Sequence, residues 1–128
     1  MFEGIIAMAK ENLKNGIPVG LGTDTACPYV TRYDMWRELC YYAKFCGVSN
    51  AFALYSATLL NAELAGIGGE TGSIERGKRA EMIIVRKNPL EDLRALRTPE
   101  TVIMGERLIR APRVKKIPEV EAELDKWL

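Results

Sequence analysis

Apolar side chains recur with a helical period over residues 2–14: Phe2, Ile5, Ile6, Ala9 and Leu13 share one side, with Lys10, Glu11 and Lys14 opposite. That spacing predicts an amphipathic helix, and Asn15-Gly16 supplies its stop. The period then changes. Gly16-Ile17-Pro18-Val19-Gly20-Leu21-Gly22-Thr23-Asp24-Thr25 is a compact apolar run closed by turn residues, which predicts a strand over Val19–Gly22 buried on both faces, as in a parallel sheet. A loop from Thr25 to Thr31 follows. Asp34 as a cap predicts a helix to about Phe45, with Trp36, Leu39, Cys40 and Ala43 on one face and Gly47 closing it. Ser49 caps a second helix through Ala51, Leu54, Tyr55, Thr58 and Leu59 to about Ala65, ended by Gly66, close enough to the first to form a helical hairpin.

From Gly68 the chain becomes turn-rich. Glu81-Met82-Ile83-Ile84-Val85 reads as a strand stopped by Lys87-Asn88-Pro89, and Leu90 to Leu96 as a helical turn. Thr101–Met104 and Arg107–Ile109 flank Gly105-Glu106 as a hairpin or a bulged strand. Pro118 opens a last helix with Val120, Leu124, Trp127 and Leu128 on one side, an apolar stripe in want of a partner. The fold class expected is α/β. A β/α barrel-type unit (1–67) precedes a small β segment (68–112) and a tail helix (113–128).

Composition narrows the function. The 128 residues, 48% hydrophobic, suffice for one core, and 18 basic against 17 acidic residues announce neither a nucleic-acid nor a membrane surface. No apolar run approaches a membrane span and no leader pattern precedes the first helix, so a cytoplasmic chain is expected. Cys27, Cys40 and Cys46 are odd in number and lack a CxxC spacing, which makes free thiols the expectation over a disulfide or metal site. There is no histidine. Ser-His-Asp and Cys-His arrangements and imidazole-based zinc sites therefore cannot form from this chain alone.

Among candidate features, the aromatic stripe Tyr41, Tyr42, Phe45 reads as core packing before ligand surface. The Gly68–Lys78 stretch misses the phosphate-loop pattern because Arg79 follows Lys78. Arg110, Arg113, Lys115 and Lys116 read as a solvated connector. Asp24 has two readings. It caps the turn after its strand, or it is a carboxylate placed where α/β proteins keep their chemistry.

The order of Gly22-Thr23-Asp24, Val48-Ser49-Asn50-Ala51-Phe52-Ala53-Leu54-Tyr55-Ser56-Ala57-Thr58, Asn61-Ala62, Gly66-Ile67, Thr71 to Glu81 and Asn88-Pro89-Leu90 resembles the C-terminal third of the amidohydrolase superfamily, the metal-dependent hydrolases of the imidazolonepropionase, prolidase and cytosine-deaminase kind. The resemblance implies that Val19–Gly22 is the eighth strand of a (β/α)₈ barrel, present here in part with its flanking helices, and that the following β segment belongs to a small β-sandwich. It implies that Asp24 is both catalytic and a metal ligand, taking a proton from the attacking water beside a divalent metal, zinc before others. Gly22-Thr23 would hold Asp24 and Thr25 would orient it, while Cys27, Tyr29 and Arg32 become the substrate-loop candidates. The reaction implied is hydrolysis of non-peptide or dipeptide C–N bonds. The family's His-x-His, Lys or Glu, and further histidines belong to earlier strands, and Ala80-Glu81 replaces its Ala-Asp. Beginning at Met1 just before strand eight, the chain resembles a fragment. It is expected to be inactive by itself and to take a small-molecule substrate only when missing barrel parts complete it. Association as a homo-oligomer or with a complementing chain is expected, and neither nucleic acid nor membrane as partner. The alternative is a non-catalytic remnant or assembly module that keeps the fold.

Overall fold

A computed structural model describes residues 2–128, apart from the Phe2 side chain. Met1, and Phe2 as an apolar position, thus lie outside the described residues. Helix α1 (Phe2–Lys14) ends at Gly16, as its Asn-Gly stop predicts. Helix α2 (Met35–Cys46) ends at Gly47, whose N–H reaches the Ala43 carbonyl. Helix α3 (Asn50–Tyr55) starts where Ser49 accepts the Phe52 N–H at 3.1 Å. It runs without a break through a widened π turn (Ser56–Leu60) into α4 (Asn61–Leu64). Leu39, Tyr42, Ala53 and Leu93 form the buried centre, with Leu13, Val19, Leu21, Met35 and Leu54 packed on it.

Strands β1 (Glu81–Ile84), β2 (Thr101–Met104) and β3 (Arg107–Arg110) make one antiparallel sheet in the order β1-β2-β3, with Met82 opposite Ile103 and Val102 opposite Ile109. A 3₁₀ segment (Leu93–Arg97) lies between β1 and β2, where a helical turn was expected, and its Asp92 cap accepts the Arg94 N–H. Helix α5 (Pro118–Asp125) follows. Its apolar stripe finds a partner within the chain: Tyr41 donates its hydroxyl to the Leu124 carbonyl at 2.9 Å, and Leu124 and Trp127 line one cleft with Tyr41 and Phe45. Of the aromatic stripe, Tyr42 is core and Tyr41 and Phe45 receive the tail.

Two expectations are corrected. Val19–Gly22 runs free of any sheet, and Val19 and Leu21 are half-buried rather than enclosed on both faces. A strand exists only through its neighbours' backbone groups, and none of the described residues offers a neighbouring strand there. Asp34 precedes α2 but does not cap it with its side chain, because that carboxylate is taken by Thr31 Oγ1 and by Arg37.

Gly20 and Gly72 are among the glycines that let the chain pack closely. A Cβ on Gly20 would lie 2.7 Å from Asn61 Oδ1 and 3.1 Å from Leu64 Cδ1. Gly72, at φ +94°, would place one 2.7 Å from the Ala62 Cβ and 3.0 Å from the Leu59 Cα. Gly20→Ala therefore costs about 1–3 kcal/mol by overpacking, measured as a lowered urea midpoint. An unchanged midpoint would mean that Asn61 yields freely.

Candidate active site

Position starts with Asn61. The π turn sends the Asn61 N–H back to the Ser56 carbonyl, and Thr58 Oγ1 donates to the Leu54 carbonyl at 2.6 Å. Asn61 then faces the extended segment. The Leu21 N–H donates to Asn61 Oδ1 at 2.9 Å, and Asn61 Nδ2 donates to the Leu21 carbonyl at 2.8 Å. One side-chain amide thus makes both bonds that a neighbouring strand would make at that residue. Three residues on, the segment delivers Asp24, exposed.

The loop that follows is built from tight turns and strained residues. Cys27 N–H bonds to the Asp24 carbonyl at 3.5 Å, Val30 N–H to the Cys27 carbonyl at 3.1 Å and Asp34 N–H to the Thr31 carbonyl at 3.3 Å. Asp24, Ala26 and Tyr29 have φ of 51°, 102° and 62°. Left-handed non-glycine residues cost about 1–3 kcal/mol each and gather at functional sites. Three within six residues set this loop apart from the rest of the described chain.

Of the candidate residues, Asp24 and Cys27 come together: the Cys27 thiol donates to Asp24 Oδ2 at 3.5 Å. That hydrogen bond, and then the Asp24 charge, push the thiol pKa up, so Cys27 is a donor to the carboxylate and not a ready nucleophile. Tyr29 and Arg32 are exposed further along the loop and bond to neither. Arg32 forms no ion pair among the described residues, which leaves its guanidinium open to an anionic group. Thr25 does not orient Asp24, since its hydroxyl pairs with that of Thr23 at 2.9 Å. Lys78 is held by Ser73 at 2.6 Å and Glu75 at 3.2 Å, so the lysine that a phosphate loop would use is already engaged.

A divalent metal does not fit the residues present. Asp24 is a single exposed carboxylate whose one side-chain partner donates a hydrogen to it, and no group of three His, Cys, Asp or Glu among the described residues converges as a metal site would need. No helix among the described residues is long and apolar enough to cross a membrane.

Sequence reasoning missed one cluster. Arg37, 2% exposed, lies among Asp34, Glu121 and Asp125, with Nη2 3.0 Å from Glu121 Oε2 and 2.8 Å from Asp125 Oδ1. These oxygens sit within ion-pair distance but off its N–H directions, so the Arg37 guanidinium has no aligned hydrogen bond. Arg97 does, to Glu121 at 2.9 Å and Asp125 at 3.1 Å. Both guanidiniums stack on Trp36, at 4.6 and 5.1 Å from its ring centre. The available signal was a carboxylate pair four residues apart on one face of the tail helix.

The three cysteines are free, as expected. Burial foremost, then the charge of Asp92, pushes the Cys40 thiol from 9.0 to about 11. The unfolded chain thus releases this proton near its ordinary value while the folded chain still holds it, so stability falls as pH rises from about 9 to about 11. Cys40→Ala should flatten that part of the urea midpoint against pH, and an unchanged slope would contradict it.

The amidohydrolase family model matches residues 3–108. Ochratoxinase of Aspergillus niger is 32% identical over 108 residues, which are 80% of this chain and 21% of that protein. The crystal structure of a candidate prolidase from Bifidobacterium longum superposes with a TM-score of 0.91 at 38% identity, over 95% of this chain and 30% of its own. A Xaa-Pro dipeptidase solved with methionine in its active site gives 0.75 at 31% identity, over 83% and 25%. The chain thus spans less than a third of each relative's length. Because the match runs from α1 through the Asp24 segment and the helix pair into the sheet, this chain belongs to the amidohydrolase family.

Proposed function

We propose that this chain supplies the Asp24 carboxylate to a site that hydrolyses the C–N bond of a dipeptide or a small non-peptide amide, with the remainder of that site contributed from outside these 128 residues. The observation that carries the reading is Asp24 itself: an exposed carboxylate at the tip of a segment fixed by Asn61, opening the strained loop. Membership of a family whose enzymes are in general metal-dependent supports it, as do relatives named for prolidase and Xaa-Pro dipeptidase action.

In this reading Val19–Gly22 is the last strand of a (β/α)₈ barrel whose other strands lie elsewhere. Asp24 takes a proton from water as the water oxygen bonds to the carbonyl carbon. It returns that proton to the nitrogen as the C–N bond breaks, so a carboxylic acid and an amine leave. Arg32 meets a substrate carboxylate, Tyr29 offers an apolar face, and Cys27 keeps Asp24 turned to the loop. Ile5, Met8, Ile17 and Leu64, each at least half exposed, form apolar surface that a completing chain or a second copy covers.

The test co-expresses this chain with the part of the Bifidobacterium relative that lacks the matching region and follows proline release from Xaa-Pro dipeptides. Release that depends on Asp24 supports the reading. Equal release with Asp24→Asn refutes it. A second reading, a non-catalytic assembly module, is favoured by the same exposed apolar side chains of Ile5, Met8, Ile17 and Leu64. A complex that forms stoichiometrically without turnover would support it.

A further inference from the structure

Helix α5 lies beyond the residues matched by the family model, yet it is tied to the far end of the Asp24 loop at two points. The first is direct: the Ile117 N–H donates to the Tyr33 hydroxyl at 3.2 Å. The second is a shared cation. Thr31 Oγ1 donates to Asp34 Oδ2, Asp34 Oδ1 lies 3.7 Å from Arg37 Nε, and the same guanidinium meets Glu121 and Asp125 of α5. Asp34, Glu121 and Asp125 stand against Arg37, Arg97 and Lys116, three charges of each sign.

With α5 docked, the Asp34–Arg37 pair is 7% and 2% exposed. In so dry a setting the attraction between the two charges is several times what it is in water. Remove α5 and the same pair becomes a solvated contact three residues apart on a helix, which holds the loop only weakly. The loop's last turn then loses its fixed end. At the other end of the loop three left-handed residues are held against their preference, so the loop relieves strain when it opens.

We propose that α5 is a latch on the Asp24 loop: by sharing Arg37 with Asp34, Glu121 and Asp125 hold the loop's Thr31–Asp34 end, and undocking of α5 frees the loop. The coupling is conformational and stands whether or not Asp24 is catalytic. Any partner that competes for α5, or any change that neutralises Glu121 or Asp125, then acts on the loop from the tail.

Hydrogen exchange of the whole purified chain tests this. In Glu121→Gln/Asp125→Asn, amides of residues 24–33 are expected to exchange about tenfold faster, while those of α3 and α4 keep their rates. Faster exchange confined to residues 115–128 would overturn the latch. Should the double variant unfold outright, Lys44→Ala decides. Lys44 caps the tail, donating to the Trp127 and Leu128 carbonyls at 2.9 and 3.1 Å, and lies 5.7 Å from the centre of the Phe45 ring. Its loss should raise exchange in α5 and the loop together by about twofold to threefold. A rise in α5 without the loop overturns the proposal.

Discussion

Arg37→Ala lowers the stability of this chain by about 3–5 kcal/mol, the range for removing one member of a buried ionic group. Arg94→Ala lowers it by less than about 1 kcal/mol. Both guanidiniums approach carboxylates at about 3 Å, so distance does not separate them. Burial does. Arg94 and Asp92 are 64% and 46% exposed, and water replaces what the mutation removes. Arg37 is 2% exposed, and its loss leaves Asp34 buried with only the Thr31 hydroxyl, while Glu121 and Asp125 keep Arg97. The truncation also removes one of the two cations stacked on Trp36. Urea midpoints of the two variants side by side settle the matter, and equal losses would show that the cluster is solvated in solution.

Asp24→Asn in the completed enzyme lowers kcat by about 10²–10⁴-fold, the usual worth of a positioned proton acceptor, with KM nearly unchanged. Asparagine keeps the shape but cannot take the proton. It is also the side chain most at ease near Asp24's φ of 51°, so the loop keeps its form. The carboxylate is exposed and its one side-chain bond is the long contact from Cys27, so the urea midpoint of the chain should hardly move. Unimpaired turnover would remove Asp24 from the reaction. A large stability loss would make it a structural residue after all.

What could be read from the sequence was what depends on near neighbours. The Ser49 cap, the Gly47 stop, the hairpin at Gly105-Glu106 and Pro118 at the start of α5 each rest on a few adjacent residues. Contacts that span the chain were not legible in the same way. Val19–Gly22 has the composition of a strand, but pairing is decided by what lies beside it, and its one partner is a side chain forty residues later. Asp34 has the local signal of a cap, which a buried arginine outweighs. Thr25 is adjacent to Asp24 yet bonds elsewhere, while Cys27 reaches it because the chain turns back at Ala26. Glu121 and Asp125 of the tail helix carry no local signal of burial, because what buries them is Arg37 on α2, more than eighty residues away.

The amide of Asn61 has a consequence for how such a chain would come together with others. It acts as a molded template for a single residue, fixing how far Leu21 slides along the helix before any second strand arrives. In the barrel proposed above, a joining strand need not fold with this segment and would dock onto an edge whose alignment is already chosen, which removes a slow search from assembly. The Leu21 amide should then be slow to exchange even in the solitary chain, as the mark of an alignment made in advance.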